Sequence, residues 1–244
     1  MAIAPRLLSK ICLFAVGVLT AAGCAPLSPS PPFHFLETAE VLKKDEVALT
    51  LGAGGGGLDF GSGGGGALRV RAGVGSGQEV GLEATFLYAD TGRCEGPVPN
   101  APADCKPWIG QSFAFASKLA YKFAPTRWLA LLAGAGFAQS AVGMTGGGDA
   151  GLVASYPGRH VIPYAGARFT IGAPLGRDVH SAGGITPGVV AAGGLAVVAG
   201  HARLYVEAGY VEAWPEKLDD HGVVTGHDGY PGGYFGAGVQ LPLR

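Results

Sequence analysis

The chain has 244 residues, of which 48% are hydrophobic and 14% are charged, and its formal net charge is −1. This balance gives no reason to expect nucleic acid as a partner, and the charged fraction lies well below the roughly 25% typical of soluble domains. Downstream of residue 22, no run of about 18 apolar residues could form a membrane helix. An apolar composition without such a run is typical of a transmembrane β-barrel, whose apolar residues occupy alternate positions.

The first predicted element is a secretory signal peptide over residues 1–23. Two basic residues precede an apolar stretch, residues 11–22, which is too short to cross a bilayer as a helix and is followed by small residues. The sequence Ala21-Ala22-Gly23-Cys24 resembles the lipobox of bacterial lipoproteins, which implies that Cys24 becomes the lipidated first residue. Ala25 stands where an inner-membrane retention signal would have Asp, so the resemblance implies sorting to the outer membrane. Ordinary signal-peptidase cleavage near Cys24 is the alternative.

Residues 24–44 are predicted to form a periplasmic tether and lead-in, because their first part is rich in Pro and Ser and has no periodicity. Residues 45–244 alternate between apolar and small or polar residues, which predicts strands separated by turns. We expect about ten strands, with cores at residues 47–53, 68–74, 80–88, 113–123, 129–137, 150–156, 161–171, 189–199, 204–210 and 234–241. The sixth has the weakest pattern, which leaves eight strands as the alternative.

The predicted connections alternate between short and long. Short ones fall at residues 75–78, 124–126, 157–159 and 200–201, and long ones at 54–66, 94–105, 138–149, 173–188 and 214–232. This alternation is typical of outer-membrane barrels, which have short periplasmic turns and long extracellular loops. An even strand count would leave both ends of the barrel on the periplasmic side, where the N-terminal lipid anchor is expected.

Cys94 and Cys105 flank a Pro-rich part of one long connection. In an exported protein such a close pair predicts a disulfide. A metal site would need more ligands, and no His lies between the two cysteines. We therefore expect a disulfide there, and neither a metal nor a cofactor.

The polar face of the predicted strands consists mainly of Gly, Ala, Thr and Tyr with isolated charges, which suits a confined interior. A soluble lipocalin-like barrel, the alternative, would present a densely charged face to water. The charges predicted to face the lumen are Arg69, Arg71, Glu83, Lys118, Lys122, Arg168, Arg203 and Glu207, together with Glu46 at the start of the first strand. Such charges could pair and plug the lumen, or their basic excess could favour the passage of anions.

Three stretches resemble the small outer-membrane β-barrel proteins of diderm bacteria, many of them uncharacterised. They are residues 37–47, the lead-in to the first strand, and the strand segments 163–168 (Pro-Tyr-Ala-Gly-Ala-Arg) and 205–210 (Tyr-Val-Glu-Ala-Gly-Tyr). The resemblance implies an all-β, closed, antiparallel up-and-down transmembrane barrel in the bacterial outer membrane. It implies no activity. The chain ends in Leu243-Arg244, where such barrels often end in an aromatic residue.

The sequence has no recognisable catalytic site. Acidic and His residues occur in two of the long connections, at Asp178, His180, Asp219, Asp220, His221, His227 and Asp228. Rim proteases of the omptin family use such residues, but the family's spacing is missing here. We expect a structural or surface-interaction barrel that meets outer-membrane lipid and, through its loops, an extracellular partner. A narrow pore or small-ligand transport barrel with a basic lumen, which would take a small anionic solute, is the second hypothesis, and a rim hydrolase of the omptin type is the third.

Overall fold

The computed structural model of the chain describes residues 36–58, 61–90, 112–140, 143–175, 185–214, 216–218, 224–227 and 229–243. The predicted signal peptide lies outside these residues, as do Cys24, Cys94, Cys105, Asp178, His180, Asp219, Asp220, His221, Asp228 and the side chain of His227. Within the described part of the chain, no helix has the length and apolar character needed to cross a bilayer.

Ten long strands form a closed barrel in which each pairs antiparallel with its neighbours. They are β1 (Val47–Leu58), β2 (Gly61–Gly75), β3 (Gln78–Asp90), β4 (Ser112–Phe123), β5 (Leu129–Ser140), β6 (Gly143–Ser155), β7 (Val161–Leu175), β8 (Thr186–Ala199), β9 (Ala202–Ala213) and β12 (Tyr230–Leu243). The pairing of β1 with β12 closes the ring, and β10 (Glu216–Leu218) and β11 (Val224–His227) form a separate small hairpin. The prediction of an all-β, ten-stranded, up-and-down barrel is confirmed.

The alternation of the sequence sets which side chains face outward. In β2, Leu68 and Val74 are exposed, whereas Arg69 and Arg71 between them are each only 4% exposed. The same pattern recurs around the ring, because successive residues of a strand point to opposite faces. The outer surface is therefore apolar, and the charged side chains of the strands lie mostly in the lumen.

Two of the predicted long connections are wrong. Residues 54–57 continue β1 and pair with residues 63–66 of β2, in a register that sets Gly54 opposite Gly65. Residues 143–149 likewise belong to β6. Glycine has low β-propensity and contributes no apolar signal, so these stretches are not typical of strands by sequence alone. Short and long connections therefore do not alternate strictly.

The buried core of the barrel lies within the lumen. Tyr164, Tyr205 and Tyr234 point inward and stand directly opposite Gly194, Gly238 and Gly209 of the neighbouring strands. A large inward residue next to a glycine fills the lumen without crowding the adjacent strand. Leu36 packs in the same cluster, although it belongs to no strand.

Candidate functional site

Residues 36–46 precede β1 and are called the N-terminal segment. The first residues of this segment lie buried in the lumen. Leu36 is 1% exposed. Its backbone N–H donates to Glu207 Oε2 of β9 at 2.7 Å, and the N–H of Ala39 donates to Ser155 Oγ of β6 at 3.0 Å. The segment is thus bonded to strands on different sides of the ring.

The segment leaves the lumen at the barrel end where β1 begins, which we call the mouth. There the N–H of Leu42 donates to Glu79 Oε2 at 3.1 Å. The N–H of Asp45 donates to the carbonyl of Gly73 at 3.0 Å, and the N–H of Gly73 donates to the carbonyl of Glu46 at 2.9 Å. Asp45 takes a φ of 67°, and this left-handed residue turns the chain back into the first strand.

Glu37, near the inner end of the segment, is surrounded by four basic side chains of the barrel wall. Its carboxylate lies 2.6 Å from Arg168 Nη2, 3.4 Å from Arg69 Nη1, 3.5 Å from Lys122 Nζ and 3.9 Å from Arg71 Nη1. These four residues, from β7, β2 and β4, are called the cation cluster. All four are buried, as is Glu37. A single carboxylate from outside the strands therefore joins cations from three of them.

Two opposing influences act on the pKa of Glu37, which lies outside the strands. Burial raises the pKa, because it disfavours the charged form, whereas the four cations lower it. The cations dominate, and the pKa of Glu37 falls from its usual 4.5 to about 2. The carboxylate is ionised at neutral pH.

Carboxylates of the wall pair with the same cations from the other side. Arg69 and Glu83 stand directly opposite each other on β2 and β3, with Arg69 Nη2 2.7 Å from Glu83 Oε2. Arg71 is two residues nearer the mouth than Arg69 on β2, and its Nη1 lies 3.0 Å from Glu79 Oε1. Two of the cluster's arginines are therefore shared between a wall carboxylate and Glu37.

The opposite side of the cluster is completed by Asp149 of β6. Its carboxylate lies 3.2 Å from Arg168 Nη1 and 3.0 Å from Lys118 Nζ. Lys122 donates to the backbone carbonyl of Glu40 at 2.6 Å. Nearer the mouth, Arg203 Nη2 lies 2.6 Å from Glu40 Oε2, and both side chains are partly exposed.

The structure places all eight predicted lumen charges on the inner side of the wall. Glu207 accepts from the Tyr164 hydroxyl at 2.8 Å and from the backbone N–H of Leu36 at 2.7 Å. Glu46, predicted to face the lumen, instead lies exposed at the mouth beside Lys43.

Sequence reasoning missed four lumen carboxylates: Glu37, Glu40, Glu79 and Asp149. Glu79 and Asp149 occupy positions whose side chains point into the lumen, and each lies one residue before the start of a predicted strand. Beginning each of these strands one residue earlier would have included them. Glu37 and Glu40 belong to no strand and carry no periodic signal. With these four carboxylates, every predicted lumen cation has an acidic partner, and the expected basic excess is not observed in the described lumen.

Little space remains around the cluster. A cavity of about 40 Å³ lies beside Lys118 and Asp149, and one of about 10 Å³ lies beside Glu37 and Lys122. Each has room for about one or two water molecules. By contrast, an open cleft of about 670 Å³ lies at the mouth, lined by the segment and by Arg127 and Arg203. Among the described residues, no group of His, Cys, Asp and Glu is arranged to hold a metal ion.

No protein-family model matches the chain, and no curated protein matches it. Solved structures similar to the chain include the outer-membrane protease OmpT of Escherichia coli, with 10% identity, a TM-score of 0.45, and coverage of 84% of this chain and 100% of that one. Neisserial surface protein A is 17% identical with a TM-score of 0.35, and the match covers 80% of this chain and 95% of that one. The toluene transporter TodX of Pseudomonas putida is 10% identical with a TM-score of 0.32, and the match covers 91% of this chain and 98% of that one. Likenesses this distant carry no argument about activity.

Proposed function

We propose that the chain is a bacterial outer-membrane β-barrel that serves a structural or surface-interaction role, with a lumen closed by its own N-terminal segment. Membrane placement is supported by the outer surface, where large apolar side chains such as Leu119 and Phe235 are 65% and 69% exposed. Water disfavours such a surface, whereas hydrocarbon favours it, and the charges are correspondingly inside.

The observation that carries the closed-lumen proposal is the position of Glu37. The wall buries four cations beside three carboxylates of its own, and the segment supplies the fourth negative charge from inside the ring. Among the described residues around the cation cluster, the segment and the ion pairs leave cavities of only about 40 and 10 Å³. Catalysis is not part of the proposal.

The surface-interaction part of the proposal is supported by the barrel's topology. The strand ends Asp90 and Ser112, Leu175 and Thr186, and Ala213 and Tyr230 all lie at the end opposite the mouth. The three longest connections therefore leave from one end, which would face the exterior and an extracellular partner. We further propose that Cys94 and Cys105 form a disulfide in one of these connections.

A lipid at Cys24 is a separate proposal, and the mouth would be the periplasmic side. Metabolic labelling with a palmitate analogue, followed by gel migration before and after boiling, tests both parts. A labelled band that shifts on boiling is expected for the wild type. Cys24→Ser should keep the shift and lose the label. A shift without label in the wild type would retain the barrel and remove the anchor.

Planar-bilayer recording tests the closed lumen against the narrow pore, the second candidate. We expect no conductance steps from the wild type or from Glu46→Ala, a control that removes an exposed carboxylate from the same segment. Steps confined to Glu37→Ala would show that the segment closes the lumen. Steady steps from the wild type would contradict closure and favour the pore.

A further inference from the structure

The cation cluster is built differently from an ordinary network of paired charges. Arg69 directs Nε and Nη2 at Glu83, its partner across the strand pair, and turns Nη1 to Glu37. Arg168 divides its guanidinium in the same way, with Nη1 on Asp149 and Nη2 on Glu37. The wall thus orients its arginines with its own carboxylates and leaves N–H groups converging on one point.

The group at that point is not part of the wall. Glu37 reaches it from the N-terminal segment, and its two oxygens receive all the convergent groups, with Arg69 and Arg168 on Oε2 and Arg71 and Lys122 on Oε1. Planar guanidinium groups and an ammonium around one oxyanion are the usual way in which proteins recognise carboxylate and phosphate. Without Glu37, the four cations outnumber by one the three wall carboxylates that contact them, Glu79, Glu83 and Asp149.

We propose that the cation cluster is a binding site for the oxyanion group of a small solute, and that Glu37 occupies this site as a tethered substitute for it. The ligand class is a small carboxylate or phosphate monoester. Binding would require the segment to move toward the mouth, which releases Glu37 from the cluster. The inference goes beyond the closed barrel and does not depend on it, since a conducting barrel could contain the same site.

Access to the site would be from the mouth. The cleft of about 670 Å³ there is lined by residues 39–43 of the segment and by Arg71 of the cation cluster, so the cleft already reaches one member of the cluster. The charged lining of the cleft has a basic excess of one, which would favour an anion only weakly. It consists of Lys43, Arg71, Arg127 and Arg203 against Glu40, Glu46 and Glu79. Withdrawal of the segment would join the cleft to the site.

Rescue of a Glu37 variant by small anions tests the proposal. The full-length chain carrying Glu37→Ala is refolded in detergent, and its unfolding temperature is read from the heat-dependent gel shift in sodium chloride, sodium acetate or sodium phosphate at equal ionic strength. We expect the variant to unfold at a lower temperature than the wild type in chloride. Acetate or phosphate should raise that temperature by roughly 5 °C at concentrations well above the dissociation constant. The better of the two anions identifies the ligand chemistry.

Three controls make the result specific. The wild type and Glu46→Ala should respond equally to all three salts, because the site is occupied in both. Glu37→Gln should also show no rescue, since its amide fills the same space. If Glu37→Ala does not fold in chloride, the yield of the heat-shifted band is measured instead, and acetate or phosphate should restore it. Equal behaviour of the variant in all three salts, in temperature and in yield, would overturn the proposal, as would equal rescue of Glu37→Gln.

Discussion

Gly73 is a residue of the barrel wall that the backbone of the N-terminal segment approaches closely. A Cβ placed there would lie 2.0 Å from the carbonyl oxygen of Lys43 and 2.6 Å from that of Leu42. Real Cβ atoms do not approach backbone oxygens this closely, so any other residue at this position must move the segment. The need for glycine comes from this close approach rather than from backbone conformation.

Gly73→Ala is accordingly expected to push the segment away from the wall. We expect a loss of about 1–3 kcal/mol in the free energy of unfolding, the usual cost of overpacking, and faster trypsin cleavage after Lys43 and Lys44. Urea unfolding and mass spectrometry of the N-terminal fragment measure the two effects. Gly75→Ala is the matched control, because a Cβ there meets nothing within 4 Å. Equal cleavage of the two variants would mean that this crossing does not hold the segment.

The strands are organised by pairs of large and small inward residues. Tyr164 of β7 lies over Gly194 of β8, and its hydroxyl donates to Glu207, which also holds the backbone of Leu36. Tyr234 of β12 covers Gly209 of β9 in the same way. Aromatic side chains that cover a glycine on the next strand help to fix strand register. Register and the anchoring of the N-terminal segment are thus coupled through Tyr164.

Gly194→Ala tests this coupling. The added Cβ would lie 2.5 Å from the backbone carbonyl oxygen of Val206 and 2.7 Å from both Cζ and Oη of Tyr164. The contact with Tyr164 should displace the ring and break its hydrogen bond to Glu207, and the contact with Val206 should disturb the pairing of β8 with β9. We expect a loss of about 1–3 kcal/mol on urea unfolding. Gly193→Ala points outward and meets its nearest atom at 3.8 Å, so it should stay within about 0.5 kcal/mol of the wild type. A neutral Gly194→Ala would show that the pair does not fix the register.

The strands could be predicted where apolar residues alternate with small or polar ones, and so could the residues of each strand that point inward. Arg69 and Arg168 each lie between two apolar residues that point outward, and this pattern alone places them in the lumen. The glycine stretches 54–57 and 143–148 were not predictable, because pairing with a neighbouring strand, rather than their own side chains, makes them strands. Glu37 could not be predicted as a site residue, since its position depends on contacts with strands far away in sequence.

In the described strands, the charged side chains lie mostly inside the barrel and most large apolar side chains lie outside. Leu119, in the middle of β4, is one of the most exposed of these side chains. In water such a surface would be costly, and a charge added to it would be neutral or helpful. In hydrocarbon the same charge would be expensive.

Leu119→Arg therefore distinguishes the two environments. For a barrel folded into lipid vesicles, we expect a loss of about 2–4 kcal/mol, the cost of an arginine near the bilayer centre. His201→Arg, in the exposed turn between β8 and β9, should cost no more than about 1 kcal/mol, since it lies near the interface. Urea titration of both variants in vesicles makes the comparison. Equal stability of the two would contradict the proposed membrane placement.

The pairing of β1 with β12 has a consequence for the order of assembly. The ring closes between its first and last strands, and the N-terminal segment, which is synthesised before either, lies inside it. If the ring closed first, it would bury four cations without Glu37. The N-terminal segment would then have to thread into the closed lumen through the mouth. Closing the ring around the segment avoids both costs. We therefore expect the pairing of β1 with β12 to form last, around an N-terminal segment that is already in place.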